Sequence, residues 1–226
     1  MSTARWVRSL VQGNPELYRQ IYDWNTYPHR WALPAWLEGA TAPAPVVTLL
    51  ENSPRGRARL SRHYCTALGL TDTFWDFEAP QRRLALLPAS ALTRLAQFAG
   101  AALHWSGLSR IVTKQGHQDV AATIGRDAYA FALRRGRLLT TTAGLTASTH
   151  AVIGPDATLP QAGWKVIAAS LAAEPPVILH RFRLKAPREL ELGNPSPTDP
   201  TPAQAWTYLQ PIIADTLTTE ERRCFA

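Results

Sequence analysis

Residues 88–112 read PASALTRLAQFAGAALHWSGLSRIV, and this stretch decides the fold class. Leu92, Leu95, Ala96, Ala99, Ala102 and Leu103 recur at steps of three and four, the spacing that lines one face of a helix. Gly100 falls mid-run among alanines. A residue without a side chain costs helix propensity there but lets another element approach closely. Gly107 is expected to break the helix before Leu108–Val112.

The same period appears on either side. Asn14-Pro15 reads as a helix cap and first helical position, since Pro lacks an N–H that the first turn would leave unbonded. Leu17, Ile21 and Trp24 then share a face, and Pro28 and Pro34 end regular structure. Ala-rich Glu38–Pro45 reads as a surface connection, and the short apolar run Val46–Leu50 fits helix or strand. Ser53-Pro54 opens a helix with Leu60, Tyr64, Ala67 and Leu68 on one side, stopped by Gly69. Val120, Ala121 and Ile124 mark another helix, interrupted by Gly125. Asp127 suits the first turn of Arg126–Arg135. Ala128, Phe131 and Ala132 form its apolar stripe, which ends at Arg135. Arg134, Arg135 and Arg137 complement the C-terminal dipole. Leu138–Ser148 is Thr-rich and undecided between helix and extended chain.

Further on, Gly163–Ala173 reads as a helix through Trp164, Ile167, Ala168 and Leu171, stopped by Pro175-Pro176. Val177–Lys185 alternates Arg181, Phe182, Arg183 and Leu184, which suits a short strand. Four prolines within Gly193–Pro202 exclude a helix and mark a linker. Ala203–Leu217 is a last helix containing Pro211, and Glu220–Ala226 is expected to fray. The expected fold is therefore mainly α: a single compact helical domain with at most a short strand or hairpin. The expected division is 1–192 as the helical body, 193–202 as a Pro-rich linker, and 203–226 as a C-terminal helix and tail packed on the same domain.

Composition narrows the function. The 226 residues are 46% hydrophobic and 18% charged, a globular balance rather than a disordered one. No stretch approaches the roughly 20 apolar residues of a spanning helix, and no apolar block or cleavage site follows Arg5 and Arg8, so a cytoplasmic protein is expected. Cys65 and Cys224 stand far apart and suggest two ordinary thiols. The net charge is +7, and with lysine only at 114, 165 and 185 the basic residues are nearly all arginine. They are spread from Arg5 to Arg223 rather than gathered on one face with aromatic platforms, so charge alone is a weak pointer to nucleic acid. The densest run is Arg55, Arg57, Arg59 and Arg62. It is read first as a solvated helix face, then as a contact for an acidic protein.

Catalytic constellations are missing from the sequence. His104-Trp105-Ser106 places a His near a Ser, but nothing resembles G-x-S-x-G. The six His (29, 63, 104, 117, 150 and 180) include no pair at ligand spacing beyond His117-Gln118-Asp119, which lacks a third ligand. No Gly-rich phosphate loop occurs. Asp72, Asp76 and Glu78, among Phe74, Trp75 and Phe77, read as a surface loop or acidic patch rather than an acid–base pair. No catalytic residue, metal or cofactor is expected.

Four phrases carry a resemblance. The first is Asn14–Leu37, with Pro15, Tyr18, Tyr27-Pro28-His29 and Leu33-Pro34-Ala35-Trp36-Leu37. The second runs from Leu86-Leu87-Pro88 through Leu92, Leu95, Ala96, Gly100, Leu103 and His104. The third is Ile124–Arg135, and the fourth Gly163–Leu171 with His180–Pro187. Their order and spacing, more than any single motif, resemble the K-subunit family of type III secretion injectisomes, SctK or YscK. The resemblance covers most of Asn14–Pro187 and leaves the Pro-rich segment and last helix unmatched. It implies a mainly helical, non-enzymatic cytoplasmic adaptor of the sorting platform. Such an adaptor joins the inner-membrane ring subunit SctD to the C-ring-like subunit SctQ, with SctL and the ATPase SctN as indirect partners, and neither binds nucleic acid nor enters the membrane. Candidate protein-binding residues are Trp24, Trp31 and Trp36, with core packing the competing reading for the tryptophans, and Arg55, Arg57, Arg59 and Arg62. The alternative is a basic nucleic-acid-binding or regulatory protein.

Overall fold

A computed structural model describes residues 3–40, 42–147, 159–190, 192 and 200–225. They form helices α1 (Thr3–Gly13), α2 (Pro15–Thr26), α3 (Pro34–Leu37), α4 (Ala44–Glu51), α5 (Pro54–Ala67), α6 (Ala89–Leu103), α7 (Trp105–Leu108), α8 (Lys114–Ile124), α9 (Arg126–Thr142), α10 (Leu159–Ser170), α11 (Pro176–Arg183), α12 (Pro202–Thr216) and α13 (Thr219–Arg222). Short 3₁₀ turns occur at Pro28–Arg30, Pro80–Leu86 and Arg223–Phe225. No strand occurs among the described residues, and none of their helices is long and apolar enough to cross a membrane. The fold is mainly α. Much of the Pro-rich segment, 193–199, lies outside the described residues, as does His150.

The helices start where capping chemistry allows. The Asn14 side chain accepts from the Leu17 N–H (3.0 Å) with Pro15 at the first helical position of α2, and the Ser53 hydroxyl accepts from Gly56 N–H (3.0 Å) ahead of α5. Thr113 does the same for α8 through Gly116 N–H (3.1 Å). Thr201 and Gln204 satisfy each other's backbone donors at the start of α12, a capping box. Each cap removes an orphan donor, worth about 1 kcal/mol.

The described residues sort into two compact units. The first takes its residues from 1–89, 174–189 and 223–225. Its core buries Leu17, Ile21 and Trp24 of α2, Leu60 and Tyr64 of α5, Phe77, Leu84, and Ile178 and Phe182 of α11. The second takes its residues from 90–173 and 190–222. Its core buries Leu92, Leu95, Ala96 and Ala99 of α6, Trp164 and Ile167 of α10, and Tyr208, Leu209 and Ile212 of α12. A neighbouring cluster joins Leu108, Val120, Ile124, Ala128 and Ala132. Each such aliphatic side chain taken from water contributes roughly 1.5–3 kcal/mol. Tyr208 is fully buried, its hydroxyl donates to the Ala99 carbonyl (2.7 Å), and burial pushes its pKa far up.

Several local expectations change. The break after α6 comes at His104, before Gly107, which sits inside α7. His104 Nδ1 donates to the Gly100 carbonyl (2.9 Å), and its backbone leaves helical values. Val46–Leu50 belongs to helix α4. Val177–Lys185 is mostly helix α11 rather than strand: Pro176 presets the first turn, and Ile178, Arg181, Phe182 and Lys185 are all buried, a face only helical spacing produces. The α9 stripe does not stop at Arg135 but continues through buried Gly136, Leu139 and Thr140. A Cβ on Gly136 would meet Trp105 Cβ at 2.5 Å, and the Trp105 indole donates to Thr140 (3.1 Å). Arg134, Arg135 and Arg137 therefore lie inside a longer helix rather than in its last turn. The chain end does not fray over its described residues. Thr218 and Glu221 cap each other, Arg94 pairs with Glu221, and Cys224 is buried with its carbonyl accepting from Arg83 (3.1 Å).

Candidate protein-binding site

All seven candidate residues fall in the first unit. Trp24 is core: it is 2% exposed, stacks on Trp31 (centroids 6.3 Å), meets Phe77 edge-on (5.2 Å), and lies beneath the Arg181 guanidinium (4.8 Å). Trp31 and Trp36 are only partly buried. Lys185 Nζ sits 5.2 Å over the Trp31 ring, and the buried Trp31 indole N–H has no acceptor. The Trp36 indole donates to the Ala186 carbonyl (2.9 Å), with Arg188 5.6 Å over its ring. The three tryptophans thus run from the core to a half-exposed edge, anchored by α11 and the residues after it.

The arginines divide by helical geometry. Arg55, Arg59 and Arg62 are spaced by four and three, so they share one exposed face of α5. Arg57 points elsewhere, is half-buried, and donates to the Glu51 carbonyl (3.4 Å). Among the described residues none of the four has a carboxylate partner. Arg59 and Arg62, with His63, Thr66 and Ala67, border an open depression of about 480 Å³. The α5 core face is held by Tyr64, on which His29 stacks at 5.2 Å. Burial lowers the His29 pKa despite Glu51 at 3.3 Å. No ring contact joins the tryptophans to these arginines among the described residues.

Sequence reading missed a different set of cations. Arg181 is fully buried, donating to the Trp24 and Asp72 carbonyls (2.9 Å each). Lys185 is 1% exposed and donates to the Ala85 (2.7 Å) and Leu87 (2.8 Å) carbonyls; burial pulls its pKa down to about 7. Arg83 donates to the Phe77 (2.9 Å) and Cys224 carbonyls. The signal that finds Arg181 and Lys185 is their helical spacing with Ile178 and Phe182, hidden by the apparent alternation of 181–184. These groups fasten loops to helices. Asn25 does likewise, donating to Phe74 O (2.7 Å) and accepting from Phe74 N–H (2.9 Å).

The other candidate chemistries are occupied structurally. His117 Nδ1 lies 2.5 Å from the Tyr129 hydroxyl, while Asp119 accepts from Gln115 (2.7 Å). Asp76 pairs with Arg82, which also holds Glu174, both at 2.5 Å. No group of three potential metal ligands occurs among the described residues. Cys65 and Cys224 are free thiols. Against known families, residues 22–218 match the model described as YOP proteins translocation protein K (YscK). No curated protein and no solved structure matches the chain.

Proposed function

The chain belongs to the YscK family, a family of type III secretion components, and on that premise we propose that it is a non-catalytic cytoplasmic adaptor of an injectisome. It links the inner-membrane ring subunit SctD to the C-ring-like subunit SctQ in the sorting platform, with SctL and SctN reached indirectly. The observation that carries this reading is the extent of the family match, which runs through both compact units.

The surface chemistry suits such a role. A helix face with Arg55, Arg59 and Arg62, which have no carboxylate partner among the described residues, suits an acidic protein surface, where complementary charge sets orientation and encounter rate. Trp31 and Trp36 provide aromatic edges of the kind that anchor interfaces. The test is affinity purification of the tagged chain from its native cell with identification of bound proteins. Recovery of SctQ-like and SctD-like proteins together is expected. Recovery of neither removes the adaptor reading.

A further inference from the structure

A second surface, in the second unit, has a chemistry of its own. Helix α8 buries Gly116, Val120 and Ile124 and turns its opposite face outward. That face carries two adjacent rows at four-residue steps, Lys114–Gln118–Ala122 and His117–Ala121. Gly125, with φ of +84°, turns the chain at the end of α8, so that Arg126 and Tyr129 of α9 form the far wall. The result is an open groove of about 690 Å³. Its floor is two alanine methyls, and Val112 beside them is 88% exposed. The His117–Tyr129 contact fixes one wall, with the rings edge-on at 5.6 Å, and burial raises the Tyr129 pKa.

The charge around this floor has one sign. Lys114 and Arg126 are exposed, and among the described residues neither forms an ion pair and no carboxylate lines the groove. From Lys114 to Ala122 the helix rises about 12 Å at roughly 1.5 Å per residue, the length of two helical turns of a partner. We propose that this groove docks a short amphipathic segment of another protein, one that presents an aliphatic or aromatic anchor to Ala121 and Ala122 between carboxylates that meet Lys114 and Arg126.

Two other occupants fit less well. A nucleic-acid backbone needs a track of cations, whereas two cations flank an apolar floor here. A second copy docked by two-fold symmetry would set Lys114 and Arg126 against their own kind. The adaptor reading names partners by family; the groove specifies what chemistry a partner offers at one place, whichever protein supplies it.

The test selects a displayed library of random short peptides against the full chain. It then measures the enriched peptides by fluorescence anisotropy against wild type, the double variant Lys114→Glu/Arg126→Glu, and Ala122→Arg, which fills the floor. All three positions are exposed, so circular dichroism melts should coincide. Enriched peptides should carry Asp or Glu around a large apolar residue and lose about tenfold in affinity, or more, in both variants. The inference is overturned if no peptide family is enriched, if the enriched peptides lack carboxylates, or if both variants bind as well as wild type. It is equally overturned if a short DNA duplex competes at lower concentration than the peptides. Sedimentation showing a wild-type dimer that the double variant abolishes would assign the groove to a second copy instead.

Discussion

Gly100 and Gly163 meet where α6 and α10 touch backbone to backbone, and adding one methyl group at either site should separate the helices. A Cβ on Gly100 would lie 1.7 Å from the Leu159 carbonyl oxygen and 3.2 Å from the Gly163 nitrogen. A Cβ on Gly163 would lie 1.8 Å from the Ala96 oxygen and 2.6 Å from its carbonyl carbon. Carbon atoms pack at roughly 3.5–4.0 Å, so relief takes a shift on the order of 1.5–2 Å. The obstacles are backbone atoms, so no rotamer change supplies that shift. The cost falls on buried neighbours such as Leu95, Ala99, Trp164 and Ile167. Overpacking of this kind costs about 1–3 kcal/mol or more, and replacing Gly by Ala within a helix returns about 1 kcal/mol. With backbone atoms as the obstacle the upper end of that cost, about 3 kcal/mol, applies, so the net expectation for Gly100→Ala or Gly163→Ala is a loss of about 2 kcal/mol, which lowers Tm by about 4–8 °C in a chain of this size. Urea titration should show a lower midpoint at an unchanged slope. The double variant should lose less than the sum, because helices already parted for one methyl accommodate the second. Gly13→Ala is the control: its Cβ meets nothing within 4 Å, so it should melt with the wild type or slightly above. A Gly100→Ala protein that melts at or above the wild type would refute the close approach and the reasoning with it.

The remaining predictions concern the first unit. Burial holds Lys185 at about 7 in the folded chain, whereas an unfolded lysine binds its proton up to about 10.4, so stability should rise with pH between those values, by at most roughly 5 kcal/mol. Lys185→Met should flatten that rise in urea titrations stepped from pH 7 to pH 10, and an unchanged slope would show that Nζ is not the titrating group. Asn25→Ala leaves the Phe74 backbone N–H and carbonyl without their partner and should cost about 2–3 kcal/mol, read from the urea midpoint; a neutral result would mean that water replaces the amide. Replacing Arg55, Arg57, Arg59 and Arg62 by Glu together should leave helix content intact and cut SctQ-like or SctD-like pull-down by at least about tenfold, and unchanged capture of both would remove α5 from the interface.

Most helices were legible because their signals are local. Asn14-Pro15, Ser53-Pro54 and the periodic run of α6 place caps and apolar stripes in plain order. The misreadings have one physical cause, which is packing that hydrophobic pattern does not record. Gly136 and Thr140 do not register as core, yet the missing Cβ of one and the hydroxyl of the other carry α9 past Arg135. Arg181 does not register as core either, because the carbonyls that accept from its two terminal nitrogens come from α2 and the loop at Asp72, far away in sequence. In the candidate site, the face of Arg55, Arg59 and Arg62 follows from helical spacing alone. The burial of Trp24 against Trp31, Phe77 and Arg181 depends on chain segments far apart in sequence, and spacing is silent about that.

The net charge of +7 takes on a different meaning once its members are located. Arg181, Lys185 and Arg83 are buried and bind backbone carbonyls, two of them also lying over tryptophan faces. Arg181 and Lys185 are held by carbonyl dipoles and an aromatic face, which offset the desolvation of a buried cation only in part. Arg181 and Lys185 therefore act inside the first unit, holding α11 and the residues after it to neighbouring segments, while Arg83 ties the Pro80–Leu86 turn to Phe77 and Cys224. Arg82, Arg94 and Arg135 are neutralised by Glu174 and Asp76, by Glu221, and by Asp215. Two groups that face solvent without an ion pair among the described residues are the Arg55–Arg59–Arg62 face of α5 and the Lys114–Arg126 rim of the α8–α9 groove. Salt dependence of partner binding should therefore respond to charge reversal at those two places. Reversal at Arg181 or Lys185 should instead unfold the first unit, a difference that a thermal melt run beside each binding assay separates.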